Sequence, residues 1–112
     1  MKKIEAVIRE EQLPIVRQAL EEVGYPGITI TGVRGHGRQK GITQQWRGRE
    51  FTVDLLPKVK LELIVADADA TKIIDTIAEH ARTGNVGDGK IWAWDIETIV
   101  RVRTGEKGEV AI

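Results

Sequence analysis

Apolar residues at alternate positions open the chain. Ile4, Ala6 and Ile8 fall on one side of an extended segment and Glu5 and Val7 on the other, which predicts a first strand over 2–8 with one well-buried face. From Leu13 the period changes: Leu13, Val16, Ala19, Leu20 and Val23 follow helical spacing, and Glu21 and Glu22 fall outside it. Pro14 suits the first turn of that helix and Gly24 its end. Residues 27–33 are rich in β-branched side chains and predict a second strand. Between Arg34 and Asp54 no apolar period persists and Gly35, Gly37, Gly41 and Gly48 interrupt the chain, so this stretch reads as a long loop. Loops of this length cost ordering entropy without adding to a core, and usually carry function. After Pro57, residues Val59, Leu61, Leu63 and Val65 alternate with Lys58, Lys60, Glu62 and Ile64 as a third strand. Asp67 or Asp69 is placed to cap a second helix with the stripe Ile73, Ile74, Ile77 and Ala81. A glycine-rich turn over 83–90 leads into a fourth strand at 91–96, and 98–103 is β-branched and basic, ahead of a polar tail after Gly105.

The order strand, helix, strand, long loop, strand, helix, strand is the βαββαβ arrangement of the ferredoxin-like α+β sandwich, in which two helices cover one face of an antiparallel sheet. Strands 59–65 and 91–96 read as apolar on both sides, which predicts that the second face is buried against copies of the same chain. Trp92 and Trp94 accordingly read as core or subunit-interface packing.

Composition limits what such a chain can do. The 112 residues, 41% hydrophobic and 30% charged, make a single domain over 1–112. A core that small leaves no room for a deep internal cavity, so a sizeable ligand belongs in a cleft or between subunits. Lys+Arg and Asp+Glu are both 17, so no global field favours nucleic acid or membrane. Without cysteine there is no disulfide and no catalytic thiol. No apolar run reaches a membrane span, and Met1-Lys2-Lys3-Ile4-Glu5 lacks a signal-peptide core, so a cytoplasmic location is expected. His36 and His80 are far apart with no metal-motif spacing, and no carboxylate pair or Ser-His-Asp set assigns catalysis.

Three segments carry candidate chemistry. Gly84, Gly89 and Lys90 satisfy the spacing G-x-x-x-x-G-K, but Ile91 replaces the Ser or Thr that would hold magnesium, and the segment runs from helix to strand rather than the reverse. Glycine amides converging on an anion, helped by Lys90, and an ordinary glycine turn both remain open; Asp88 opposes an anion unless its carboxylate is turned away. Arg101 and Arg103 alternate, which on a strand places both guanidinium groups on one face with no adjacent acid, as a phosphate fork or a solvated edge. In the long loop Arg34, Arg38, Lys40, Arg47 and Arg49 precede the first acid, Glu50, with Trp46 among them and Phe51 beside them. Nucleic acid is one reading of that pattern, but the RNA-recognition signature is missing; an arm received by a protein partner fits the exposed aromatics better.

Taken together, Met1-Lys2-Lys3-Ile4, Gly37-Arg38-Gln39-Lys40-Gly41, Leu56-Pro57-Lys58-Val59-Lys60, Thr83-Gly84 with Gly87-Asp88-Gly89-Lys90-Ile91, and Arg101-Val102-Arg103-Thr104-Gly105-Glu106 resemble the PII signal-transduction proteins of nitrogen regulation over essentially the whole chain. The resemblance implies a homotrimer with ATP or ADP in clefts between subunits. A T-loop at about 37–55, a B-loop at about 82–90 and a C-loop at about 101–108 would supply the sites. By the same resemblance nucleotide falls to Thr29, Gly37, Arg38, Gln39, Ile64, Gly87, Asp88, Gly89, Lys90, Arg101, Val102 and Arg103. With Mg2+ and ATP, 2-oxoglutarate falls to Gln39, Lys40, Gly41, Lys58 and Gly87, with Gln39 completing the metal site and Lys58 pairing with the distal carboxylate. The bound metabolite would then select among T-loop conformations, and only some of these fit a partner.

Partners implied by the resemblance are an ammonium transporter and glutamine synthetase or its regulators, met by Trp46, Arg47, Arg49 and Phe51, with Arg47 at the pore-blocking position. Phe51 stands where many relatives have a uridylylated tyrosine, and Arg49 where some have a phosphorylated serine, so neither modification has an acceptor at those positions. A small phosphoryl-transfer enzyme using the same basic cleft is a second reading, but the motifs supply no acceptor-activating base for it.

Overall fold

In the computed structural model, which describes residues 1–36, 42–46, 49–53 and 55–112, the side chains of 42–53 not included, eight main elements follow one another. They are β1 (Lys2–Arg9), α1 (Leu13–Glu22), β2 (Thr29–Gly35), β3 (Ile42–Trp46), β4 (Arg49–Val53), β5 (Leu56–Val65), α2 (Ala70–Ala81) and β6 (Gly89–Asp95). β2, β5, β1 and β6 form one antiparallel sheet in that order, and β3 pairs with β4 separately. This is the expected ferredoxin-like α+β arrangement.

Alternation decides which face of the sheet the helices cover. Ile4, Ala6 and Ile8 of β1 and Val59, Leu61, Leu63 and Val65 of β5 are buried against Val16 and Leu20 of α1 and Ile73 and Ile77 of α2. Each Val, Leu or Ile among them contributes about 2 kcal/mol by leaving water. Pro14 lies in the first turn of α1, and Gly24, at φ 94°, follows its end.

Several expectations need correction. The long loop contains the ribbon β3–β4, with five residues of each strand in register from Ile42↔Val53 to Trp46↔Arg49. Its ladder is made by backbone groups, so the ribbon forms without the apolar stripe that a sheet packed on helices requires. Asp69 stands at the N-cap position of α2, as one of the two expected residues, but its side chain makes no capping bond there. Asp67 and Asp69 both belong to a 3-10 turn, where Asp67 pairs with the amino terminus at 2.9 Å and Asp69 accepts the Tyr25 hydroxyl. Pro57 lies within β5 rather than before it. The β1 ladder ends at Arg9↔Lys58, so beyond Lys58 β5 pairs only with β2 and its other side demands no N–H.

The face opposite the helices is not apolar. Lys3 meets Glu62 at 3.0 Å, Lys60 meets Glu5 at 3.7 Å, and Trp92 Nε1 donates to Glu5 at 2.8 Å. Trp92 and Trp94 lie on this face and outside the core, each about two-fifths exposed (41% and 42%), with Lys3 Nζ 5.5 Å from the Trp94 ring centre. The expected two-sided apolarity fails because Ile64 and the tryptophans share their rows with Lys3, Glu5 and Glu62.

Candidate functional site

At one end of the sheet β1 finishes at Arg9, β2 at Gly35, β5 begins at Leu56 and β6 at Gly89, so backbone from four strands converges there. Residues 83–88 cross this end. Their conformation is set by the Asp88 carboxylate, which accepts the N–H groups of Thr83 (2.8 Å) and Gly84 (2.9 Å), the Thr83 hydroxyl, and Arg9 Nε at 2.9 Å. Those bonds, the Thr83 hydroxyl's foremost, hold the carboxyl far below the usual carboxylate range. The carboxylate is thus spent within its own turn. Arg9 Nη2 also donates to the Val86 carbonyl at 2.7 Å.

Lys58, directly opposite Arg9 in the β1–β5 register, is buried and donates from Nζ to the Gly87 carbonyl at 2.7 Å. Gly35 makes room for its stem, since a Cβ there would lie 3.2 Å from Lys58 Cγ. Burial lowers the Lys58 pKa below the ordinary lysine value, Arg9 lowers it further, and Glu11 and Asp88 oppose the shift. Gly87 and Gly89 have φ of 102° and 104°, values open to glycine and strained for other residues. Lys90, next along β6, is exposed beside them. The turn therefore combines glycine backbone with a solvent-facing ammonium, Lys90, a donor set suited to an anion, while the Lys58 ammonium is engaged on the Gly87 carbonyl.

A second region lies toward the other end of the sheet. A cavity of about 620 Å³ is lined by Tyr25, Gly27, Thr29, Glu62, Ile64 and Ile99, among others. Thr29 and Glu62 are directly paired between β2 and β5. Ile64 is six residues from Lys58 on the same strand, roughly 20 Å at the rise of a strand. One protomer therefore does not bring Thr29 and Ile64 together with the 83–90 turn.

Arg101 and Arg103 do not alternate along a strand. Val100 makes a single bridge to Lys107, the chain turns over 102–104, and the Gly105 N–H closes onto the Arg101 carbonyl at 2.8 Å. Gly105, at φ 74°, lets the chain reverse where the β-branched run suggested continuation. Arg101 has an acid after all: it pairs with Glu106 at 2.9 Å and donates to the Val110 carbonyl at 2.9 Å. Val102 is 96% exposed and Arg103 is exposed.

Gly37, Arg38, Gln39, Lys40, Gly41 and Arg47 lie outside the described residues, while Trp46, Arg49 and Phe51 fall on β3 and β4, whose side chains are likewise outside them. Arg9 and Thr83 organise the turn, yet neither stood out in the sequence as a candidate side chain. Arg9 acts on a carboxylate 79 positions away, and no local pattern signals such a contact.

The family model for nitrogen regulatory protein P-II matches residues 1–106. The chain is 53% identical over 112 residues to the nitrogen regulatory protein P-II of Pasteurella multocida (strain Pm70), with 100% of both chains covered. It is 51% identical to nitrogen regulatory protein P-II 1 of Escherichia coli (strain K12), again with 100% of both covered. It is 50% identical to nitrogen regulatory protein P-II 2 of Methanothermobacter thermautotrophicus (strain ATCC 29096 / DSM 1053 / JCM 10044 / NBRC 100330 / Delta H), covering 100% of this chain and 97% of the relative. The phosphoryl-transfer alternative gives way to these matches, because the relatives are regulators and not enzymes. The chain belongs to the nitrogen regulatory protein P-II family and serves signal transduction in nitrogen regulation.

Proposed function

We propose that the protein is a homotrimeric sensor that takes ATP or ADP in three clefts between subunits and, with Mg2+ and ATP, binds 2-oxoglutarate. The observation that carries this reading is the 83–90 turn, where Gly87 and Gly89 at positive φ stand beside the exposed Lys90 and Lys58 holds the Gly87 carbonyl. Polyphosphate oxygens are the ligand such a set suits. Gly87, Gly89, Lys90 and the Asp88 amide contact the phosphates, and the Asp88 carboxylate serves the site by shaping the turn. Arg101, Val102 and Arg103 reach the same nucleotide from the next subunit, whose Thr29 and Ile64 lie near the base. The cavity at Thr29 and Ile64 and its separation from the turn support a division of the site between protomers.

In this reading Gln39 would complete the magnesium site with oxygens from nucleotide and keto acid. Lys40, Gly41 and the Gly87 amide hold the keto acid, and Lys58 pairs with its distal carboxylate. Arg38 and Gly37 join the phosphates, so ligand occupancy sets the posture of the loop over 37–55. That posture decides whether Trp46, Arg47, Arg49 and Phe51 engage an ammonium transporter, glutamine synthetase or a regulator of it. With Phe51 and Arg49 at the usual modified positions, effector binding is the input.

Calorimetric titration of ATP with magnesium, with and without 2-oxoglutarate, tests the reading. Coupling of 1–3 kcal/mol, or about 5- to 150-fold in affinity, is the usual range for linked sites. Tighter ATP binding in the presence of the keto acid is the expected result; equal affinity in both titrations would remove the metabolite from the mechanism.

A further inference from the structure

Two cations reach the 83–90 turn from adjacent strands, and they take successive carbonyls. Arg9 Nη2 holds the Val86 carbonyl at 2.7 Å and Lys58 Nζ holds the Gly87 carbonyl at 2.7 Å. Across a planar trans peptide the carbonyl of one residue and the N–H of the next point in opposite directions. Drawing the carbonyls of Val86 and Gly87 toward Arg9 and Lys58 therefore turns the N–H groups of Gly87 and Asp88 away from both cations. Gly87 lies between those two peptide planes, at a φ of 102° that glycine adopts without strain.

Arg9 does this with two separate atoms, since Nε is bonded to the Asp88 carboxylate at 2.9 Å while Nη2 is on Val86. Asp88 in turn holds the amides of Thr83 and Gly84. One guanidinium thus spans both ends of a three-residue segment. A lysine ammonium, being a point charge on a flexible stem, lacks the fixed fork needed to bridge a carbonyl and a carboxylate in this way.

We propose that Arg9 is a positioning residue for anion recognition: by clamping the Val86 carbonyl and the Asp88 carboxylate it fixes the turn, before any ligand arrives, with its Gly87 and Asp88 amides facing the anion. The proposal rests on the reading of this turn as a phosphate site. Arg9 itself does not contact the anion in this scheme. It removes the ordering cost that a loose glycine turn would otherwise impose on binding.

The test compares the wild-type chain with Arg9→Lys, which keeps the charge and loses the fork, and Arg9→Met, which keeps an apolar stem alone. ADP affinity is measured by calorimetry, amide hydrogen exchange of Thr83 and Gly84 is followed in the ligand-free protein, and assembly state and thermal midpoint are recorded for each. The expected result is that both variants stay folded and keep the wild-type assembly, with a midpoint lowered by the loss of the Arg9 contacts to Asp88 and Val86, exchange the two amides at least tenfold faster, and bind ADP at least fivefold more weakly. An Arg9→Lys variant with a change in ADP affinity below fivefold overturns the proposal, since a role in charge alone survives that substitution. So does a loss of affinity accompanied by loss of assembly. Wild-type protein that binds no ADP overturns the phosphate reading of the turn and this inference with it, a result distinct from a binding-competent wild type with an indifferent variant.

Discussion

Asp88 shows how a single side chain can be misjudged from its formal charge. A carboxylate inside a turn proposed to bind an anion looks like an obstacle, yet here it accepts from Thr83, Gly84 and Arg9 and so neutralises itself against the loop it builds. Because its pKa is depressed in the folded state, the stability it contributes is complete above the unfolded-state value near 3.9 and is lost as pH falls from there toward the folded value. Asp88→Asn is accordingly expected to be about 2 kcal/mol less stable than wild type in urea at pH 7. That gap should stay constant down to about pH 5 and shrink on further acidification. Parallel denaturation curves at pH 7, 5 and 3 measure it; a gap that widens in acid would show that the carboxylate is not the group responsible. The sequence raised the question about Asp88 and could not answer it, because the answer depends on Thr83 five positions away and Arg9 seventy-nine positions away.

At the scale of elements, strand and helix periods were legible wherever a face is buried, since burial imposes the alternation that the eye reads. β1, β5, α1 and α2 are of this kind. The ribbon β3–β4 was not legible, because pairing through backbone groups leaves no such imprint on side-chain order. The start of β6 is not legible either: the pattern points to a strand from 91, whereas β6 begins at Gly89, which reads as part of a turn. Gly89 pairs with Ile8, and a Cβ built on it would sit 1.8 Å from the Val7 carbonyl oxygen. That contact is with backbone, so no side chain can move to relieve it. Gly89→Ala is expected to cost about 3 kcal/mol or more, by forcing β6 away from β1 and straining a φ of 104°. Gly84→Ala, also at positive φ but with nothing within 4 Å of the new Cβ, should cost only about 1 kcal/mol. Chemical denaturation of the two variants side by side separates close approach from backbone conformation; equal losses would mean that β6 can shift without penalty.

For the molecule as a whole, the decisive fact is that its two candidate half-sites occupy opposite ends of one strand, Lys58 at the start of β5 and Ile64 near its end. The face between them is charged, and its charges are already paired within the chain, Lys3 with Glu62 and Lys60 with Glu5. Such a face loses less on leaving water than unpaired charges would, which suits it to contact with other subunits despite its polarity. If, as proposed, the protein is a trimer whose ligand is held by one subunit's turn and the next subunit's arginines, mixtures of variants carry a prediction. Lys90→Ala and Arg103→Ala homotrimers should each bind ADP at least tenfold more weakly than wild type while still assembling. When the two variants are unfolded together and refolded as mixed trimers, a site regains both side chains wherever an Arg103→Ala subunit offers its Lys90 to a Lys90→Ala subunit offering its Arg103. For random assembly from equal amounts that occurs at roughly a quarter of the interfaces. Calorimetry of the mixture should therefore reveal a minority of sites with wild-type affinity that neither parent shows. If both side chains instead served a single protomer, every subunit in the mixture would carry one defect and no tight site would appear, however the trimers were shuffled.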